Sequence, residues 1–289
     1  MPVLVGGSLA VCQQGFDISW LTWAGCLLFA FLMQIDANFI NDIYDYLKGT
    51  DREDRLGPER ACAQGWVTPQ QMRRGILIVT LLACAVGLCT IAMVWEQLPF
   101  RGIEFVVIGA LCVLFAFLYT TRLSYLGWGD VLVLVFFGFV PTCGTYYLLT
   151  FTLDWAVFMA SLVCGFTIDT LLIVNNFRDR EQDRLSGKKT IVVRFGEQFA
   201  LDLHLLIGSI VPVLCHSISR FIPFSSYFLS VGLCISGFVF LYLNARTHSR
   251  MRKIHSGRQL NTCLASTSIN MLVLTLLMSL SLVLSVLEK

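Results

Sequence analysis

Long apolar stretches recur along this chain, and most of them end abruptly in a cluster of polar residues. A helix needs roughly 20 such residues to cross about 30 Å of hydrocarbon. By that measure the chain predicts spans near 20–43, 72–95, 104–120, 128–150, 155–176, 199–218, 225–245 and 264–286. Residues 1–12, MPVLVGGSLAVC, have the pattern of the second half of another span, too short to cross unaided. They lack the basic start and polar cleavage region of a signal peptide. The pattern therefore predicts an all-α polytopic membrane bundle of nine transmembrane helices, the first one shortened. Two four-helix halves, near 1–122 and 123–245, would be followed by a final helix at 264–286.

Charge placement gives this bundle a direction. With nine helices, the connections 44–74, 121–127, 177–198 and 246–263 fall on one side and hold 18 of the 21 Lys and Arg. Only Arg101, Arg220 and Lys289 fall on the other. Basic residues accumulate on the cytoplasmic face, so the long polar connections are expected there, on a cytoplasmic (inner) membrane. Composition agrees: 56% of residues are hydrophobic and 14% charged, against about 25% charged in soluble domains. A net charge of +2, with no basic stripe interleaved with aromatics, points away from a nucleic-acid partner. None of the eleven cysteines forms a CxxC pair, and most lie in apolar spans as small hydrophobes.

The first two long connections carry the chemistry. The span at 20–43 runs into NFINDIYDYLKGTDREDR, and the span at 155–176 into NNFRDREQDRLSGKKT. Aligning Asn38 with Asn175 at an offset of 137 places Asp42 on Asp179, with Asp45 and Asp183 following. On a helix, positions three, four and seven apart share a face. Gln34, Asn38, Asp42 and Asp45 then form one stripe, and Asp169, Asn176, Asp179 and Asp183 another. Two facing acidic stripes are unfavourable unless cations lie between them, and hard oxygen ligands suit Mg²⁺ completed by water and phosphate oxygens. Lys48 and Arg52 flank one cluster; Arg178, Lys188 and Lys189 flank the other. A solvated helix cap explains any single Asp here, but not two matched clusters each beside cations. Acids, cations and adjoining apolar helices together point to a diphosphate ester with an apolar tail, at the interface of repeated halves.

These residues resemble the UbiA superfamily of intramembrane prenyltransferases. Its NDxxD-type motif stands here as Asn41-Asp42-Ile43-Tyr44-Asp45, and its DxxxD motif as Asp179-Arg180-Glu181-Gln182-Asp183. The stretches NDIYDYLKGTDREDRLGP, FFGFVPTCGTYY, NNFRDREQDRLSGKKTIVVRFG and GRQLNTCLAST resemble the branch acting on 1,4-dihydroxy-2-naphthoate in menaquinone synthesis. That resemblance implies Mg²⁺-dependent transfer of a polyprenyl group from polyprenyl diphosphate to the naphthoate, with loss of CO₂, giving demethylmenaquinone. It implies Asp42, Asp45, Asp179 and Asp183 as Mg²⁺ ligands, with Asn38, Asn41, Asn175 and Asn176 as polar partners and Asp51 as a further carboxylate. Arg178, Lys188 and Lys189 are the leading diphosphate cations, then Lys48 and Arg52. Tyr146, and Tyr147 beside it, would wall the allylic cation, or would merely pack within a membrane helix. Asp169, an acid inside a span, would orient the acceptor; Asp36, beside the stripe, has no assigned role. Asn261 would cap the site from the last basic connection, or simply start a helix. Two stretches depart from the family pattern: the shortened first helix, and YTTRLSYLGWGD, where many relatives carry Gly-Gly-Pro. Rival readings are another aromatic acceptor (4-hydroxybenzoate, homogentisate, a chlorophyllide or haem) and a cation-coupled secondary transporter.

Overall fold

A computed structural model of the protein describes residues 1–49, 55–222 and 226–288. A short helix α1 (Pro2–Gln14) is followed by eight helices, each long and apolar enough to cross a membrane. They are α2 (Trp20–Leu47), α3 (Pro69–Ala92), α4 (Ile103–Leu126), α5 (Gly129–Thr150), α6 (Trp155–Leu185), α7 (Glu197–Phe221), α8 (Tyr227–Ile254) and α9 (Arg258–Glu288). Among the described residues there is no strand. The expected all-α polytopic bundle is thus the observed one.

Local sequence sets where these helices begin. Ser19, Asp154 and Ser226 each accept a backbone N–H from the first turn of α2, α6 and α8. Thr68 and Gln71 form a reciprocal capping box on α3, whose Pro69 occupies a position with no intrahelical N–H to lose. At the basic end, α2, α6 and α8 run past the apolar spans as far as Leu47, Leu185 and Ile254. The two acidic motifs therefore ride on helices, not on loops.

α6 is the most enclosed span, packed against α5, α7, α9 and α1, while α4 is the most exposed. α1 is buried along most of its length, from Val3 to Cys12, against α5, α6 and α9. Small residues allow close approach: a Cβ on Gly138 would stand 2.8 Å from the Ser161 carbonyl oxygen and 2.9 Å from Gly165 Cα. Close backbone contact of this kind is how membrane helices associate when burial of apolar surface gives no advantage over lipid. The outer faces are apolar, as with Leu77, Ile78, Leu81 and Leu82 on α3. In water such a surface would be a liability; in a bilayer it is the solvent-matched one.

Two stretches within the spans widen to π geometry. Tyr119–Leu123 in α4 and Leu134–Phe139 in α5 are π-helical, and one extra residue per turn re-aims the side chains around it. The α4 bulge brings Tyr119 and Thr120 to the motif-bearing ends of α2 and α6.

Candidate active site

The tips of α2 and α6 meet. Between them, with the end of α4 and the start of α5, lies a polar cavity of about 140 Å³. Asn41 and Asp45 line it from α2, and Asn175, Asn176, Asp179 and Asp183 from α6. The register differs from the one expected: Asn41 pairs with Asn175 and Asp45 with Asp179, an offset of 134. The expected 137 aligned the wrong asparagine, because Asn38 and Asn41 share a helix face and only the packing distinguishes them.

Cations hold these oxygens in place. Arg178, almost fully buried, grips Asp179 with two bonds, Nε to Oδ1 at 2.7 Å and Nη2 to Oδ2 at 2.6 Å. Its Nη2 also donates to Asn175 Oδ1 at 2.8 Å, and its Nη1 to Asn261 Oδ1 at 2.8 Å. Asn261 passes the link on, donating to the Leu56 carbonyl at 2.8 Å. Asn261 thus ties the last basic connection to the first through Arg178, and its side chain does not cap α9. Asp45 stands between Arg60, at 3.6 Å, and Lys188, at 4.0 Å. Its neighbour Asn41 accepts a hydrogen bond from the Thr120 hydroxyl.

Other expected residues lie elsewhere. Asp42 turns away from the cavity, its oxygens accepting the backbone N–H groups of Ala61 and Cys62 at 2.9 and 3.0 Å. It thereby anchors the turn that carries Arg60. Asn38 is exposed one turn deeper on α2. Lys48 donates to the Thr120 and Thr121 carbonyls and covers the Tyr125 ring at 4.1 Å, with Lys188 on that ring at 5.5 Å. Burial lowers the Lys48 pKa below the ordinary lysine value, and nearby Lys188 lowers it further against the pull of Asp45. Lys189 is exposed, and its backbone N–H donates to the Tyr125 carbonyl. Asp51 and Arg52 fall outside the described residues.

Tyr146 needs correcting. It is fully buried near the opposite end of α5, where its hydroxyl donates to Gln13 Oε1 at 2.5 Å and Asp154 Oδ2 at 2.7 Å. It joins α1, α5 and α6 and contributes nothing to the cavity wall. Tyr147 stacks on Phe105, ring centroids 5.9 Å apart. Asp36 also gains an account: it accepts from the Thr80 hydroxyl at 2.9 Å, tying α2 to α3.

Several lining residues were absent from the expected set: Arg55, Arg60, Tyr119, Thr120, Asp130 and Thr190. Only Asp130 carried a usable signal, an ionisable group at the entrance of an apolar span. Tyr119 and Thr120 are turned inward by the π bulge.

The donor set suits a hard cation. Asp45, Asp179 and Asp183 present carboxylates, and Asn41 and Asn175 present amide oxygens, around one polar space. Among the described residues no three Asp, Glu, His or Cys converge as a ready-made metal cage. Mg²⁺ usually takes one or two protein carboxylates and completes its shell with water and phosphate.

Fold and site together define a multi-pass helical membrane protein with an oxygen-lined, cation-flanked cavity at one end of its bundle. Residues 1–264 match the UbiA prenyltransferase family, and the chain belongs to that family. It is 40% identical over 214 residues to the 1,4-dihydroxy-2-naphthoate octaprenyltransferase of Escherichia coli K12, covering 72% of this chain and 68% of that one. It is 31% identical over 288 residues to the enzyme of that name from Haemophilus influenzae, covering 97% and 90%. Its fold is similar to that of a UbiA homologue from Archaeoglobus fulgidus bound to DMAPP and Mg²⁺, with a TM-score of 0.59 at 13% identity over 96% of this chain and 94% of that one.

Proposed function

We propose that this prenyltransferase moves a polyprenyl group from polyprenyl diphosphate to 1,4-dihydroxy-2-naphthoate, releasing CO₂ and diphosphate and giving the hydroquinone demethylmenaquinol, from which demethylmenaquinone forms only by a separate two-electron oxidation. The carrying observation is the cavity itself, where oxygens from both motif helices face one another with Lys188, Arg60 and Arg55 around them. The acceptor is the one named for the bacterial relatives at 40% and 31% identity. Mg²⁺ as cofactor is supported by the donor set, and by its presence with DMAPP in the archaeal homologue.

Asp45, Asp179 and Asp183 would hold the metal, with Asn41 and Asn175 as neutral donors beside them. When bound, Mg²⁺ supplies positive charge against the charge that develops on the departing diphosphate. Lys188 and Arg60 do the same work from the protein, fixed in advance by their pairing with Asp45. Arg178 holds Asp179 and Asn175 in orientation, a positioning role with no cavity contact of its own. Tyr119 offers an aromatic wall at the reacting end, and the apolar helices offer a water-poor route for the tail. The same geometry favours diphosphate over ion transport: Asp45, Asp179 and Asp183 sit at helix tips beside basic residues, not at mid-membrane breaks. The basic, motif-bearing face is assigned to the cytoplasm of an inner membrane by its Lys and Arg excess.

The direct test incubates the purified protein with Mg²⁺, a polyprenyl diphosphate and a panel of 1,4-dihydroxy-2-naphthoate, 4-hydroxybenzoate and homogentisate. Mass spectrometry of the lipid product should show demethylmenaquinol, with demethylmenaquinone arising from it on exposure to air, and no other prenylated product. Prenylation only of another acceptor would overturn the acceptor assignment, and no transfer to any of them the enzymatic one.

A further inference from the structure

Two more carboxylates, one lining the cavity and one beside it, stand apart from those that would hold metal. Asp130, at the start of α5, lines it. Asp169 lies on α6 one turn before Leu172 and two before Asn176, which line it too, so the three share a helix face. The Asp130 and Asp169 carboxyls are neighbours, and two buried carboxyls side by side do not both ionise, so one of them keeps its proton. Asp169 is only 4% exposed. Oδ1 of each acid is nevertheless buried with no hydrogen-bond partner. Buried oxygens are ordinarily paired, because leaving them bare costs free energy. Nothing about packing calls for two acids here. Gly129, next to Asp130, also lines the cavity, where a Cβ on it would stand 3.3 Å from Leu172 and 3.7 Å from Tyr119 Oη.

We infer that the Asp130–Asp169 pair receives a hydroxyl of the aromatic acceptor, and that its ionised member takes the hydroxyl proton as the ring attacks the prenyl group. The inference rests on the acceptor reading proposed above. As the O–H proton passes to the carboxylate, its electron pair moves into the ring. The ring carbon bearing the carboxyl group bonds to the prenyl carbon, and the prenyl C–O bond breaks with its pair leaving on diphosphate. Loss of CO₂ returns a pair to the ring, and the acceptor oxygen recovers its proton from the acid pair. The proton is lent and returned, and no oxidant enters.

The two monomethyl ethers of the acceptor, given to the unaltered protein, test which hydroxyl is held. One ether should lose at least about 100-fold in turnover, the usual reach of a positioned base, while the other still reacts. Both ethers behaving alike overturns the inference. Asp130→Asn and Asp169→Asn should each lower kcat for the naphthoate by about 100-fold or more and leave KM for polyprenyl diphosphate unchanged. Variants that turn over at the parent rate, or that lose diphosphate binding as well, sink the pair's role. Because each comparison requires naphthoate turnover by the unaltered protein, failure of the function itself shows separately, as no demethylmenaquinol at all.

Discussion

Arg178 has the composition of a substrate-binding cation, but its nitrogens are engaged within the protein, on Asp179, Asn175 and Asn261. A lysine there cannot reproduce a two-pronged grip on a carboxylate. Arg178→Lys should therefore raise the Mg²⁺ concentration needed for half-maximal turnover, with unchanged Mg²⁺ dependence as the contrary result. Asp42 and Asp45, three residues apart, separate in the same way: Asp42 is bonded to the 61–62 turn, whereas Asp45 faces the cavity. Asp45→Ala should abolish turnover, while Asp42→Ala should retain part of it. Equal loss in two folded variants would return Asp42 to the metal. Tyr146→Phe removes the hydroxyl shared by Gln13 and Asp154 and should cost about 1–3 kcal/mol of stability without changing the rate of prenyl transfer. A stable Tyr146→Phe protein with depressed kcat would contradict that placement. Composition and spacing were enough to locate both clusters. Which members of a stripe point inward was not legible, because 38, 41, 42 and 45 lie on one broad face and a neighbouring helix chooses among them.

The apolar runs made eight of the helices legible, since length and hydropathy alone decide whether a segment suits a bilayer. Their continuation into charged sequence was less so. α6 extends to Leu185 through a stretch that reads as a connection, because intrahelical hydrogen bonding continues regardless of side-chain polarity. The π bulge at Tyr119–Leu123 falls where Thr-Thr-Arg suggests a helix end, and the helix instead runs on to Leu126. Bulges of this kind depend on packing, which periodicity does not report. α5 also approaches α6 closely, backbone to backbone, at Gly138. Gly138→Val would drive a side chain into Ser161 and Gly165, already within 3 Å of a Cβ there. The variant should unfold at a clearly lower temperature in detergent and lose turnover; a Tm like the parent's would show that this contact is not needed.

At the scale of the whole molecule, the site exists because two helices far apart in sequence end at the same point. A metal site here should need both α2 and α6, since neither helix can make it alone, and be completed by the diphosphate. Mn²⁺, a spectroscopic stand-in for Mg²⁺, makes this measurable by electron paramagnetic resonance on the purified protein with a non-hydrolysable prenyl thiodiphosphate. One tightly bound Mn²⁺ should appear only when the thiodiphosphate is present, and should be lost in both Asp45→Ala and Asp179→Ala. Tight Mn²⁺ binding that survives either substitution would contradict the shared site.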